Sequence, residues 1–204
     1  MADKTGACNL ALGHLAVSKE IANVETERSA EASACRRYYQ PALDEALRDF
    51  PNPSLTVQNA LALVTDNTTD ENAEWAYSYR YPATCSKAIR ILSGDRNDTK
   101  DTRIPYRIIK DDQGKLILTD KEDAILEYAE ASDDPSQWFP DFLMSFSLLL
   151  AFYIAPRITA GDPFKLGERA YRAYSVAKIK ADANAIGEQQ AENPPDADYT
   201  NSRL

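Results

Sequence analysis

The hydrophobic period of this chain changes twice, and that double change constrains the fold more than any other feature. Cys35, Tyr38, Tyr39, Ala42, Leu43, Ala46, Leu47 and Phe50 recur at three-and-four spacing, the repeat of one helix face. Trp75, Tyr77, Tyr79 and Tyr81 then alternate strictly with Ala76, Ser78 and Arg80, which is the repeat of a strand. From residue 142 to residue 154 the chain is apolar nearly all round, interrupted by Ser145 and Ser147, as suits a buried helix. Helical patterns at both ends with strand patterns between them predict an α+β chain, mainly α.

The flanking signals fill in the order. Cys8, Leu12 and Leu15 mark the inward face of a short helix over 5–16, and Ser29 is placed to cap the next one. Pro41 falls inside that second helix and predicts a kink, while Pro51 and Pro53 stop it. Pro82 ends the aromatic strand, Ile89 and Ile91 suggest another, and 125–129 a further one. Residues 106–110 and 115–119 flank Asp111-Asp112-Gln113-Gly114, a hairpin with glycine near its turn. Residues 94–103 form a polar, exposed loop. Pro140 suits the first turn of the apolar helix. After Asp162-Pro163, Leu166, Ala170, Ala173, Ala177, Ala181 and Ala185 line one side of a long amphipathic helix. The pattern fails around residue 191, where Pro194-Pro195 and acidic residues predict a tail without structure of its own. The expected architecture is a four-helix bundle built from 1–53 and 134–190, with a β-rich insertion over 54–133 and an extended acidic tail over 191–204.

Charge and chemistry narrow the function. Thirty-two acidic against 23 basic residues give a net charge of -9, which does not favour tight binding to phosphate backbones. Three dispersed cysteines, Cys8, Cys35 and Cys85, fit thiols packed in a reducing cytoplasm. No basic segment followed by an apolar run opens the chain, so no secretory signal is expected, and the apolar run at 142–154 is too short to span a bilayer. His14 is the single histidine, so nucleophilic triads and His/Cys metal sites lack their parts; a packed or capping histidine is expected. The stretch Asp95-Arg96-Asn97-Asp98-Thr99 resembles a calcium loop but lacks its glycine and terminal glutamate. Asp111, Asp112, Asp120, Glu122, Asp133 and Asp134 are the carboxylates from which a glycosidase pair would have to come. With so many acidic residues such candidates arise by chance. No catalytic residue, cofactor site or metal site is therefore assigned, and a carboxylate-based polysaccharide hydrolase is the rival reading.

Five segments stand in order along the chain: Cys8-Asn9-Leu10-Ala11-Leu12-Gly13-His14-Leu15, Cys35-Arg36-Arg37-Tyr38-Tyr39, Leu47-Arg48-Asp49-Phe50-Pro51, residues 75–82, and Gly161-Asp162-Pro163-Phe164-Lys165-Leu166-Gly167. Together they resemble the head–tail adaptors of short-tailed phages, the tail tubular protein A family, over residues 5–190. Asn52 departs from the pattern, since many relatives carry tryptophan there, and the tail matches only in being acidic and proline-bearing. The resemblance implies a non-enzymatic virion protein, made in the host cytoplasm, that forms a ring, commonly of twelve copies, between portal protein and tail nozzle protein. DNA would pass its lumen without binding, and an acidic lining, with Glu168, Asp111 and Asp112 as candidates, would suit that passage. No membrane contact is implied. The eleven tyrosines offer interface material. Trp75, Tyr77, Tyr79 and Tyr81 are the expected subunit interface. Asn193, Pro194, Pro195, Asp196, Tyr199 and Leu204 are the expected portal-binding residues, ordering on contact with the portal.

Overall fold

A computed structural model describes residues 3–49, 53–70, 73–95 and 102–188. Chain order begins with α1 (Lys4–His14) and α2 (Ala30–Asp49). Seven strands follow: β1 (Thr56–Ala60), β2 (Leu63–Asp66), β3 (Tyr77–Arg80), β4 (Cys85–Ile91), β5 (Arg107–Asp111), β6 (Gly114–Thr119) and β7 (Ile125–Glu130). The described chain closes with α3 (Pro140–Ile158) and α4 (Leu166–Glu188).

Each helix starts on a local signal. Asp3 Oδ1 accepts from the Gly6 amide at 2.6 Å and caps α1, and Ser29 Oγ accepts from the Ala32 amide at 3.2 Å at the head of α2. Pro140 opens α3, where its missing N–H costs nothing. Pro41 lies within α2 without ending it. Between α3 and α4 the chain turns through Ala160, Gly161 and Asp162, all at positive φ. Asp162 then accepts from the amides of Leu166 (2.7 Å) and Gly167 (2.8 Å), satisfying two donors at the start of α4. A Cβ on Gly167 would sit 2.8 Å from the Ala155 Cβ, so glycine is what lets α4 close onto α3 there.

The four-helix bundle with a β insertion is not what forms. In a bundle, four helices each turn one apolar stripe toward a shared axis. Here α3 occupies the axis itself: Phe142, Phe146, Leu149, Leu150, Ala151 and Ile154 are all buried, and α1, α2 and α4 each pack chiefly against it. Helix α1 is only 11 residues long and scarcely meets α2. By length and composition α3 is also apolar enough to cross a membrane, yet half of the apolar stretch is buried against the other helices.

The strands make two antiparallel sheets with a core of their own, so the fold is α+β with two packed cores. One sheet has the order β1-β7-β4 and the other β2-β3-β6-β5. The expected hairpin is β5–β6, with Lys110 opposite Lys115 and Gly114 at φ 139° beyond the turn. The sequence patterns missed β1 and β2. The second core gathers Tyr79, Ile91, Ile117, Leu126 and Tyr128. Helix α2 touches β4, which joins the two parts.

Candidate assembly surface

All five segments have visible structural work, and three of them shape loops and a helix start. Asn9 clamps the loop after α1, accepting from the Ile21 amide at 2.8 Å and donating to the Ile21 carbonyl at 2.9 Å. Arg36 donates to the carbonyls of Val24 and Glu27, holding the far end of the same loop on α2. The segment over 161–167 supplies the turn, cap and close helix approach described above. One member of it does nothing for the fold: Phe164 is 73% exposed.

The aromatic row divides. Tyr79 is only 2% exposed and belongs to the second core; its hydroxyl donates to the Lys121 carbonyl at 2.9 Å. Tyr77 and Tyr81 are half-buried and pack against that core, with the Tyr77 ring 6.2 Å from Tyr79. Trp75 is half-buried, and its indole Nε1 is buried with no partner among the described residues. The alternation thus marks an inward face, and Tyr79 offers nothing to a neighbour. The portal candidates Asn193, Pro194, Pro195, Asp196, Tyr199 and Leu204 lie outside the described residues, as does most of the calcium-like stretch after Asp95.

Exposed apolar side chains concentrate elsewhere. The outer face of α4 shows Tyr171, Val176 (56% exposed) and Ile179 (69%), with Phe164 just before it. An aromatic ladder leads onto this face: Tyr38 stacks on Tyr153 at 6.0 Å, Tyr153 meets Phe152 at 5.4 Å, and Phe152 meets Tyr171 at 4.9 Å. Polar anchors fix its inner side. The Tyr174 hydroxyl donates to Asp49 at 2.7 Å, Lys178 pairs with the same carboxylate at 3.1 Å, and the Tyr153 hydroxyl donates to Glu45. The Glu45 hydrogen bond, helped by burial, pushes the Tyr153 hydroxyl up to about 12. Burial raises the Asp49 carboxyl, but the bonds from Tyr174 and Lys178 outweigh it and leave the group below its ordinary value. Sequence patterns passed over this surface because Val176 and Ile179 sit opposite the alanine stripe; two apolar residues three apart on an otherwise charged helix face were its only signal. A second exposed apolar pair, Leu63 and Val64, lies on the edge strand β2.

Most of the polar groups singled out in the sequence have specific partners among the described residues. His14 Nε2 lies 3.0 Å from Ser147 Oγ, but Ser147 donates to the Met144 carbonyl at 2.8 Å and its side chain is closed off from solvent. Burial lowers the His14 pKa, which favours the neutral ring. Two hydrogen bonds, at 2.9 and 3.0 Å, tie Asp111 to the Arg80 guanidinium, which holds that carboxyl below the usual range, the opposite of a general acid. The Ser136 amide does the same for Asp134. Asp133 pairs with Lys4 at 2.6 Å, and Asp120 accepts from the Ala76 amide at 2.9 Å. Glu168 is engaged by Arg172 at 2.5 Å. Among the described residues no three metal-ligating side chains converge.

A scan against protein-family models finds no match for this chain, and a search of curated proteins finds none either. The functional reading therefore rests on the residues themselves and on the resemblance of the five segments.

Proposed function

We propose that this chain is a structural subunit of a phage virion, a head-to-tail adaptor that forms a ring between portal and tail nozzle and lets DNA pass. The observation that carries the proposal is the exposed apolar face of Tyr171, Val176 and Ile179, with Phe164 beside it. Large apolar side chains left exposed along one helix are candidates for contact with a neighbour. A closed ring needs two different patches per subunit, one meeting the other around the circle. The α4 face and the Leu63–Val64 edge of β2 are two such patches on separate parts of the fold. The net charge of -9 suits a lumen along which DNA slides. Tail residues 192–204, outside the described residues, are the proposed grip on the portal. Four of the six candidate carboxylates, Asp111, Asp120, Asp133 and Asp134, are each held by an ion pair or a backbone amide, which gives the hydrolase reading no support.

The test is co-purification with portal protein. Val176→Ser with Ile179→Ser should leave the fold intact and reduce ring formation on the portal, each lost contact costing roughly 2 kcal/mol if it is a hot spot. Unchanged recruitment by the double variant would remove α4 from the interface.

A further inference from the structure

At the junction of the two cores lies a cleft of about 350 Å³ whose charged lining is entirely cationic. Arg48 comes from the end of α2, Lys87 from β4 and Lys115 from β6; Tyr81, Ser86, Ala88 and Ile108 complete the wall. Lys87 Nζ donates to the Arg48 carbonyl at 3.2 Å, and Lys115 Nζ stands 5.1 Å from the Tyr81 ring centre. Among the described residues none of the three cations has a carboxylate within ion-pair distance. That is unusual in a chain with nine excess negative charges. By contrast, in the cleft beside Tyr39, Lys4 is already paired with Asp133 and Arg36 with carbonyls. Both β4 and β5 are the last strands of their sheets, so an extended chain entering this cleft meets strand edges.

We propose that this cleft binds an acidic peptide segment, residues 189–199 of a second copy of the chain. The segment carries Glu192, Asp196 and Asp198 and no lysine or arginine. Three carboxylates thus face three cations, and Tyr199 has Ile108 and the Tyr81 ring to pack against. A nucleic-acid backbone fits less well. It needs cations spread along a stripe, whereas these three are gathered in one cleft on an acidic surface. The ring reading supplies the second copy, since copies stand side by side around a ring. Lys178 lies against Asp49 beside the cleft, and α4 runs ten residues further, about 15 Å, before the segment begins. The proposal deepens the ring reading by naming what one copy holds of the next, and it rests on that reading for the second copy. The segment overlaps the residues proposed to grip the portal, so cleft and portal compete for it.

The experiment measures binding of a labelled synthetic peptide of residues 189–199 to the full chain by fluorescence anisotropy. Binding is expected to weaken with salt and to fall roughly tenfold or more in the exposed Lys115→Glu variant and again on adding Lys87→Glu, with circular dichroism unchanged. A peptide with Glu192→Gln, Asp196→Asn and Asp198→Asn should not bind, and one with lysine at those three positions should bind the doubly reversed chain. Equal affinity for parent and variants overturns the proposal. So does a full chain that refuses the peptide, since a cleft filled from within has no room, and so does duplex DNA that displaces the peptide from the same residues. No portal protein is in the assay, so its failure leaves the adaptor reading standing, and failure of portal recruitment leaves the peptide result standing.

Discussion

Replacing Tyr79 by serine separates a core aromatic from an interface aromatic. The ring is 2% exposed, so folding removes nearly all of its surface from water. An aromatic side chain buries about 150–250 Å², which at about 25 cal/mol per Å² is worth roughly 4–6 kcal/mol. Large-to-small core substitutions of aromatic residues cost about 3–5 kcal/mol, so the two scales agree. The change also leaves the Lys121 carbonyl without the hydroxyl that donates to it at 2.9 Å. For a chain of this size each kcal/mol lowers the melting temperature by about 2–4 °C, giving an expected drop of roughly 6–20 °C. Thermal unfolding followed by circular dichroism reads this directly. Tyr77→Ser, half-buried, should fall by less. A Tyr79→Ser protein that melts within a degree or two of the parent would refute the core placement and return the aromatic row to the subunit interface.

Gly167→Ala forces a methyl to within 2.8 Å of the Ala155 side chain and should cost about 1–3 kcal/mol by overpacking, measured by chemical unfolding; a neutral result would mean that α4 does not approach α3 so closely. The Asp49 carboxyl is held below its ordinary value of 3.8 by Tyr174 and Lys178, so its contribution to stability is present above that value and is lost as pH falls through the lower folded value. Asp49→Asn should therefore flatten the acid limb of the stability profile. Tyr153, pushed up to about 12, behaves oppositely: its contribution is full below 10 and disappears as pH rises toward 12, which Tyr153→Phe should abolish in an alkaline unfolding titration.

Elements with a strong local pattern were legible from residue types. The Cys8–Leu12–Leu15 face, the Ser29 cap, the hairpin around Gly114 and the apolar run of α3 all announce themselves within a few residues. Strands β1 and β2 did not. Every side chain of β2 is exposed, so no alternation is imposed on Leu63–Asp66, and its strand identity comes from backbone pairing with β3. The bundle expectation failed because periodicity shows which face of a helix is apolar but not which helix takes the centre. An all-round apolar α3 draws three helices to itself. The Trp75–Tyr81 alternation pointed to a strand, of which only Tyr77–Arg80 forms, and period alone does not say whether an apolar face meets the chain's own core or another subunit. The cationic cleft was invisible for a further reason: Arg48, Lys87 and Lys115 are far apart in the chain and meet only when α2 and the two sheets come together.

The adaptor account is tested most directly by the mass of the purified chain, alone and after mixing with purified portal protein, by native mass spectrometry. The account predicts a discrete complex carrying many copies of this chain on one portal ring, and no such complex when the portal is withheld. A chain whose mass is the same with and without portal, or that forms one fixed small oligomer in both, would contradict it.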